Sequence, residues 1–565
     1  MKGVGILVTV GPSCDSAEKI ESLARLGAAA LRINTAHISR GYIPHITEMA
    51  RKANRKHGKH MGIVVDLKGP ELRTGEFENG GFHVRKNTNY TIGSQGSSDI
   101  SVNTPSALEA VSDGDSVIMS DGAVRFKVTG VADGKVTVRS PSPGLLRNRS
   151  RVNIPGRLLN LGAVTQRDKE FIRESVECGV DFFALSFVQE KNNVSELSSI
   201  IQELGSEAEI ISKIETRKGL ENLDEIAASS DWIMVARGDL GVEVPLKEVA
   251  MAQKKIILES HRHGIPTIVA TQMLESMVEK SAPTRAEVSD VSNAILDNAD
   301  ALMLSEETAI GKFPLEAARY LRDIADYVET RANGFPEPEN FLGNRIAYSI
   351  ARASKIVSEE IDSDAILAFT KSGSTARMIS AVRPNRRIVA AVTSESLARR
   401  LNLLRGVDPM IVPEEYSESR TLSEVIDYLE TTGTFRLGQR IVVTSGSPYF
   451  LFGGTNDVRV ITSGKFLGRG YPAGKSLKGK ITMKRNGKGD ILLTDGITSP
   501  ETIQGFKGLI LRKRVPSGIR DDLRSSGKTV VYGTRFVLEP EEGDEVYIDT
   551  GTGVILGSSR KDKED

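Results

Sequence analysis

The chain has 565 residues, which at about 150 residues per domain predicts three or four domains and excludes a single small binding module. Its 74 Lys and Arg balance its 74 Asp and Glu, so no net charge attracts nucleic acid or an anionic membrane surface. Only two cysteines occur, far apart, which argues against a disulfide scaffold and favours a reducing, cytoplasmic location. No apolar run reaches the roughly 20 residues that cross a bilayer, so we expect no membrane partner and no nucleic-acid partner.

A repeated unit fills the first 335 residues: a short apolar run that ends in polar residues, followed by a helix-like stretch. The eight runs are Gly5–Val10, Ala30–Asn34, Ile63–Asp66, Phe182–Phe187, Ile210–Glu215, Trp232–Asp239, Thr267–Thr271 and Ala301–Ser305. Eight such units predict an α/β fold with a (β/α)₈ catalytic barrel formed by residues 1–70 and 154–335. The alternative is an open doubly wound sheet, which we favour less because eight consecutive parallel strands close readily.

Three further regions differ from the barrel pattern. Residues 71–153 contain short strands punctuated by Gly, Asn and Asp, which predicts a small β-barrel domain inserted after the third strand. Residues 336–468 follow a Pro-containing linker and alternate helix and strand again, which predicts a separate α/β domain. Residues 469–565 are Gly-rich with short strands, and we expect an extra β-rich α/β domain there.

Charged side chains close several of the barrel strands. Because reacting groups in such barrels come from the carboxyl ends of the strands, Arg32, Lys213 and Asp239 are candidate site residues. Lys213 and Glu215 are two residues apart, so a strand directs both to one side. Glu215 and Asp239 offer the hard oxygen ligands that hold Mg²⁺. A Lys-x-Glu pair alone is more often a surface ion pair, but jointly these residues predict a site that binds or transfers a phosphoryl group.

Several stretches resemble the pyruvate kinase family. They are TVGPS (9–13), RINTAH (32–37), DLKGPELRTG (66–75), ISKIET (211–216), MVARGDLGVEVP (234–245) and ATQMLESMVEKSAPTRAEVSDVSNAILDNADALMLSEETAIGKFPLEAA (270–318). A weaker resemblance continues through 345–462. The resemblance implies a glycolytic phosphotransferase that moves the phosphoryl group of phosphoenolpyruvate to ADP, giving pyruvate and ATP.

The same resemblance implies roles for the strand-end residues. Arg32 and Lys213 would hold the transferring phosphoryl group, and Lys213 would be the chief stabiliser of the transition state. Glu215 and Asp239 would bind Mg²⁺ or Mn²⁺. The backbone amides of Gly238 and Asp239 would hold the substrate carboxylate.

Other implied roles concern the proton and the nucleotide. Thr271 would lie near the enolate carbon, bind substrate and help to place the proton. The nucleotide would contact Asn34, His37 and Arg73, and the inserted domain 71–153 would close over the site as a lid. A closed, dry site strengthens these contacts and protects the phosphoryl donor from hydrolysis.

The potassium site of the family is incomplete in this sequence. Asn34 and Asp66 are retained, but Ala36 replaces the usual Ser and Leu67 the usual Thr, although Leu67 still offers a carbonyl. Glu71 keeps the residue type of potassium-dependent members. We therefore predict weakened or absent activation by K⁺.

The α/β domain contains a candidate effector loop. Hydroxyls, a lysine and helix-start amides follow the strand AILAF there, a combination that binds phosphate, and the resemblance implies a phosphorylated effector. The alternative is an ordinary capped helix start. The residues are Thr370, Lys371, Ser372, Gly373, Ser374 and Thr375.

The last segment resembles the swivelling domain of phosphoenolpyruvate-utilising enzymes. No histidine follows His263, so it cannot supply the phosphohistidine of those enzymes. Family resemblance also implies a homotetramer. Two other functions stay open from the sequence: another Mg²⁺-enolpyruvate barrel enzyme, such as a lyase, and a catalytically weakened pyruvate-kinase-like sensor, to which Ala36 and Glu306 (where the family usually has Gly) would point.

Overall fold

The chain forms two compact units. The computed structural model describes residues 3–77, 80–120, 122–132, 134–159, 162–332, 334–415, 422–446, 454–484, 487, 489–497, 504–515 and 517–558. The first unit comprises residues up to 348 together with 376–383 and 394–409, and the second comprises 349–375, 384–393 and 410 onward. The division into four domains stays a prediction, because each of the two units contains parts of more than one predicted domain.

The first unit begins with three strands and two helices of a parallel barrel. They are β1 (Gly5–Thr9), α1 (Ala17–Arg25), β2 (Ala30–Asn34), α2 (Tyr42–His57) and β3 (Gly62–Leu67). Helix α1 starts where the Ser16 side chain accepts a hydrogen bond from the Lys19 amide, and it buries Ile20 and Leu23 on one face. All six residues of β3 are buried, as expected for a parallel strand covered on both faces.

An all-strand insert follows β3. Its elements are β4 (Gly81–Val84), β5 (Asn89–Gly93), β6 (Ile100–Ser101), a 3₁₀ helix (Pro105–Ala110), β7 (Ser116–Met119), β8 (Val124–Ala132), β9 (Lys135–Arg139), β10 (Gly144–Arg147) and β11 (Val152–Asn153). They form a six-stranded sheet in the order β11-β7-β8-β9-β5-β6 and a two-stranded β10-β4 sheet. Val124, Phe126 and Val128 alternate with exposed residues along β8, so the insert has its own core.

The remaining barrel elements return after the insert. They are α3 (Gln166–Glu177), β12 (Phe182–Leu185), α4 (Lys191–Glu203), β13 (Glu209–Ile214), α5 (Arg217–Glu221), α6 (Leu223–Ala228), β14 (Trp232–Ala236), α7 (Arg237–Glu243), α8 (Leu246–Arg262), β15 (Thr267–Ala270), a 3₁₀ helix (Glu275–Val278), α9 (Arg285–Leu296), β16 (Ala301–Leu304), α10 (Glu306–Ala309) and α11 (Pro314–Glu329).

Eight of the described strands close into a barrel in the order β1-β16-β15-β14-β13-β12-β3-β2. All their pairings are parallel. The predicted (β/α)₈ barrel is confirmed and the open sheet is excluded. The predicted end of the sixth strand was wrong, because β14 ends at Ala236 and Arg237 begins α7. Asp239 therefore lies in the first turn of a helix.

The α/β part contains a five-stranded sheet. Its elements are α12 (Arg345–Glu360), β17 (Ala365–Phe369), α13 (Ser374–Ala381), β18 (Arg387–Val392), α14 (Glu395–Leu401), β19 (Val407–Ile411), α15 (Leu422–Thr431), β20 (Arg440–Ser445) and β21 (Asp457–Thr462). The strand order is β19-β18-β17-β20-β21, and the last pairing is antiparallel.

A second closed barrel ends the described chain. It contains β22 (Lys465–Ala473), β23 (Leu477–Thr482), β24 (Ile491–Thr494), β25 (Gly508–Leu511), α16 (Ser517–Ser525), β26 (Thr529–Phe536), β27 (Glu545–Asp549) and β28 (Val554–Gly557). The order is β22-β26-β25-β24-β23-β27-β28, with both parallel and antiparallel pairings. Among the described residues, none of the helices combines the length and the apolar character that a bilayer span requires.

Candidate active site

Asp66, at the carboxyl end of β3, joins two of the predicted cationic residues. Arg32 donates from Nε to Asp66 Oδ2 at 2.7 Å, and its Nη2 lies 2.6 Å from the same oxygen. Lys213 Nζ lies 3.2 Å from Asp66 Oδ1. Burial would raise the pKa of Asp66, but the charges of Lys213 and Arg32 outweigh it and lower that pKa. One buried carboxylate therefore fixes both cations.

Lys213 also contacts Glu215. Its Nζ lies 3.0 Å from Glu215 Oε1 and donates to the Ser186 hydroxyl at 2.8 Å. The second carboxylate oxygen of Glu215 accepts the Phe187 amide at 2.7 Å. Burial lowers the pKa of Lys213, but Asp66 and Glu215 reverse this and raise it, so the ammonium stays charged.

Glu215 and Asp239 have the chemistry of a divalent-cation site. Burial and the nearby charge of Asp239, which Lys213 only partly offsets, raise the pKa of Glu215 to about 7. Asp239 lies close enough for its charge to act on Glu215, and a hard dication favours carboxylate oxygens of this kind as ligands. Mg²⁺ therefore fits the residues that the structure brings together here.

Gly238, in the first turn of α7, and Thr271, directly after β15, lie side by side. The Gly238 amide donates to Thr271 Oγ1 at 2.9 Å, and the same hydroxyl donates to the Ala270 carbonyl at 2.6 Å. Thr271 and Gln272 both have positive φ, 66° and 54°, a conformation that non-glycine residues adopt rarely. The hydroxyl of Thr271 is thus held at this point by a tight, strained turn.

Arg237 holds that strained turn in place. Its guanidinium donates to the Thr271 carbonyl at 2.7 Å and to the Gln272 carbonyl at 3.0 Å. A third bond reaches Asp290 at 2.6 Å. The sequence places Arg237 at a strand end, but not in this positioning role.

The predicted nucleotide residues lie at the rim of this region. Asn34 ends β2 and is paired in register with Asp66, whereas His37 is exposed in the following turn. Arg73 donates to Glu71 at 2.8 Å and to the Arg149 carbonyl at 2.7 Å. Of these three residues, only Asn34 lies directly beside the central carboxylate.

The predicted potassium ligands already have donors. Asn34 Oδ1 accepts the Ala36 amide at 3.1 Å, and the Leu67 carbonyl accepts the Ser186 hydroxyl at 2.8 Å. The Asp66 carboxylate is paired with its two cations. Each of these predicted ligands therefore already has a protein partner.

Sequence reasoning missed Arg151. This residue precedes β11 in the insert, and its guanidinium pairs with Asp239 and, at 2.9 Å, with Glu71. No local pattern marks it, because its place depends on how the insert packs against the barrel. Ser186 was also missed, although it is the polar residue that follows β12 and strand-end reasoning applies to it.

The candidate effector loop has a simple internal geometry. The Gly373 amide donates to Thr370 Oγ1 at 2.8 Å, and Gly373 has a φ of 88°. Ser372 donates to the Ser374 hydroxyl at 3.1 Å, and Lys371, Ser372 and Ser374 are exposed. The loop precedes α13, so exposed hydroxyls and a lysine surround a helix start.

Comparison with known proteins agrees with this site. Residues 1–318 match the model of the pyruvate kinase barrel domain, and residues 348–461 match that of the pyruvate kinase alpha/beta domain. The chain belongs to the pyruvate kinase family. The predicted fold class, the predicted phosphotransferase class and the predicted pyruvate kinase function are thereby confirmed.

Individual relatives share this membership. A pyruvate kinase of Thermoplasma acidophilum is 50% identical over 558 residues, 99% of each chain, and so includes the last barrel. A pyruvate kinase of Thermotoga maritima is 39% identical over 82% of this chain and 99% of its own. A crystal structure of a Cryptosporidium parvum pyruvate kinase, 30% identical, superposes with a TM-score of 0.75 and covers 82% of this chain and 96% of its own.

Proposed function

We propose that the chain transfers the phosphoryl group of phosphoenolpyruvate to ADP, with the residues at the carboxyl ends of the barrel strands in the roles predicted above. The observation that carries this proposal is the convergence of Arg32 and Lys213 on Asp66, with Glu215 3.0 Å from the same lysine. These residues come from the ends of three strands, so two cations and a carboxylate that we propose as a metal ligand lie close together.

This arrangement suits phosphoryl transfer. The bond between phosphorus and the enol oxygen breaks, a bond to the terminal phosphate oxygen of ADP forms, and the enolate accepts a proton at carbon to give pyruvate. Lys213 and Arg32 neutralise charge on the migrating oxygens, and their own positions are fixed before substrate binds. Mg²⁺ or Mn²⁺ on Glu215 and Asp239 would polarise substrate oxygens when bound.

Thr271 and Gly238 serve the carboxylate and the proton in this proposal. The Gly238 amide, which donates to Thr271 in the free protein, would turn to the substrate carboxylate together with the Asp239 amide. The released Thr271 hydroxyl would then help to deliver the proton. Asn34, His37 and Arg73 are proposed to contact the nucleotide.

Potassium activation is proposed to be weak or absent. Ala36 has no hydroxyl, and the oxygens of Asn34 and Leu67 each accept a hydrogen bond from the protein. Activity should therefore persist in tetramethylammonium buffer. A large stimulation by added K⁺ would contradict this part of the proposal.

The rest of the chain is proposed to regulate and assemble the enzyme. The loop Thr370–Thr375 would bind a phosphorylated effector through its exposed hydroxyls and Lys371. The last barrel mixes parallel and antiparallel strands around one helix, and we propose that it is a swivel-like domain with a structural role, since it has no histidine. A homotetramer and a cytoplasmic location complete the proposal.

An assay of pyruvate formation from phosphoenolpyruvate and ADP tests the function. ATP formation supports the kinase, cleavage without ADP would indicate a lyase, and binding without turnover would indicate a sensor. Lys213→Met should lower kcat by about 10²–10³-fold, because it removes one fixed charge from the transition state.

The matched control is Lys52→Met on α2. The Lys52 side chain is 65% exposed and forms an ion pair with Glu48, one turn earlier on the same helix. The Lys52→Met variant should turn over at the normal rate. Near-normal turnover of Lys213→Met would exclude the proposed role of that lysine.

A further inference from the structure

Arg151 occupies the contact that joins the insert to the proposed metal site. Its Nη1 forms an ion pair with Oδ1 of Asp239. Its Nη2 and Nε lie 2.9 and 3.1 Å from Oε1 of Glu71. The guanidinium carbon also lies 5.5 Å from the centre of the Phe187 ring. The side chain is 24% exposed, so these three contacts are largely shielded from water.

We propose that Arg151 is a built-in counter-cation of the divalent-metal site: it neutralises Asp239 in the metal-free protein and is displaced from Asp239 when the metal ion binds. This inference rests on the proposed metal role of Glu215 and Asp239. It assigns a role in the barrel's metal site to a residue of the insert, and none of the sequence motifs indicates that residue.

The two cations compete for one carboxylate. The Oδ1 atom of Asp239 cannot ligate a dication and keep its ion pair with Arg151 unchanged, because the guanidinium and the metal ion would then be neighbours of like charge. Asp239 is on the seven-residue helix α7, whose first turn leaves the end of β14. A metal ion that uses Oδ1 of Asp239 must therefore compete with Arg151 for that atom.

Glu71 provides the place to which Arg151 can move. It already contacts two nitrogens of the Arg151 guanidinium through Oε1, while its Oε2 binds Arg73 at 2.7 Å and Lys68 at 3.1 Å. Burial would raise the pKa of Glu71, but Arg151 and Arg73 outweigh it and lower that pKa. After Asp239 is released, Arg151 remains paired with a charged carboxylate, so its displacement leaves no buried charge alone.

Displacement of Arg151 also affects the insert. Arg151 forms an isolated bridge to Arg73, and the next residue, Val152, pairs with Met119 in the six-stranded sheet. A second contact to α7 lies two residues on, where Asn153 donates to Glu243 at 3.0 Å. The contacts of Arg151 and Asn153 with α7 thereby link the charge on Asp239 to the position of the insert. Metal binding weakens the Arg151 contact and leaves the Asn153 contact in place.

The experiment measures Mn²⁺ binding to the full-length protein without substrates, by the electron paramagnetic resonance signal of free Mn²⁺. Arg151→Gln should bind Mn²⁺ about tenfold more tightly than the unmodified protein, since the competing charge is gone. Arg151→Lys keeps a charge and should bind with an affinity closer to that of the unmodified protein. In thermal unfolding, Mg²⁺ should raise the Tm of Arg151→Gln by more than that of the unmodified protein.

The matched control is Arg149→Gln. It removes the same charge two residues away, from a side chain that is 74% exposed and pairs with Glu76. Its Mn²⁺ affinity should stay within about twofold of normal. Unchanged or weaker Mn²⁺ binding by a folded Arg151→Gln protein overturns the inference, as does equal tightening in Arg149→Gln.

Asp239→Asn separates this inference from the proposed function. Loss of Mn²⁺ binding in Asp239→Asn, without tightening in Arg151→Gln, would leave the metal site standing and reject only the role of Arg151. Full Mn²⁺ binding by Asp239→Asn would reject both, because the metal ion would then not use Asp239.

Discussion

Both ends of the first barrel bury carboxylates, and Asp300 at the amino end and Glu215 at the carboxyl end differ in how completely they are paired. At the amino end, Asp300 precedes β16 and binds Arg383 at 2.7 Å and His261 at 2.9 Å. At the carboxyl end, Glu215 follows β13 and, among the residues that the structure describes, pairs with the single cation Lys213. Burial raises the pKa of both carboxyls, yet the partners of Asp300 reverse the shift, whereas the pKa of Glu215 rises to about 7.

Asp181 extends the amino-end pattern. It is fully buried, and its two oxygens bind Arg399 at 2.8 Å and Arg51 at 3.0 Å, while the Ile63 amide adds a third bond at 2.9 Å. The protein thus satisfies its own charges at the amino end. At the carboxyl end it leaves a carboxylate whose charge an incoming cation would stabilise. Asp66, at the same end, is paired with two cations, so it is Glu215 and not every carboxylate of the functional end that differs from Asp300 and Asp181.

The largest effect on stability should come from breaking the amino end. Arg383→Met leaves Asp300 buried without its arginine partner, with hydrogen bonds to His261 and the Thr267 amide, which should lower the free energy of unfolding by about 3–5 kcal/mol. Chemical denaturation measures this change. Turnover of the protein that remains folded should be nearly normal, because Arg383 does not contact the carboxyl end.

Arg40→Met is the control for that experiment. Arg40 and Glu170 form an exposed ion pair at 2.7 Å, with side chains 73% and 42% exposed. Such pairs contribute about 0–1 kcal/mol. Equal destabilisation by Arg40→Met and Arg383→Met would contradict the distinction between the two ends.

A smaller effect, on catalysis alone, should follow Arg237→Lys. A lysine keeps the charge beside Asp290 but cannot donate to the carbonyls of Thr271 and Gln272 together, so the turn that carries the Thr271 hydroxyl would relax. We expect kcat to fall about 10–100-fold with a smaller change in KM, since misplacement of a reacting group by about 1 Å costs about that much. Steady-state kinetics test this. An unchanged kcat would show that Arg237 does not position Thr271.

The smallest expected effect is a change in the free energy of unfolding with pH. Burial lowers the pKa of His261 from its ordinary value of 6.5, and the charges of Arg383 and Arg405 lower it further, although Asp300 opposes them. Below about pH 6.5 the unfolded chain binds a proton that the folded chain does not, so this residue's contribution to stability falls as pH falls. The slope should not exceed about 1.4 kcal/mol per pH unit. Glu215, whose pKa is raised, acts with the opposite sign in this range, so the effect of His261 is the difference between the unmodified protein and His261→Gln. In denaturation between pH 7.5 and pH 5.5, His261→Gln should lose less stability as pH falls.

The carboxyl-end residues of the barrel strands were the part of the site that the sequence could predict. Arg32, Lys213 and Glu215 each follow a short apolar run, and parallel strands bring such ends together whatever the loops between them do. Asp66 was predicted only as a potassium ligand. Its role as the shared partner of both cations depends on side-chain geometry that spacing does not contain.

Contacts between elements that are distant in the chain were not predictable. Arg151 reaches Asp239 across 88 positions, and Arg383 reaches His261 across 122. Periodicity describes which face of an element is buried, not which other element covers it. The strand that was predicted to run to Asp239 shows a related limit, because the apolar run ends at Ala236 and the polar residues after it begin a helix.

Each of the two units is built from several separate segments of the chain, which limits where the protein can be cut. A fragment that ends after α11 would retain the eight strands of the barrel and the insert, but it would lack residues 376–383 and 394–409. Asp300 would then lose Arg383, and Asp181 would lose Arg399 and keep Arg51, so both carboxylates would be less completely paired. We expect that fragment to be insoluble on expression, whereas adding the missing helices as a separate peptide should restore folding in part.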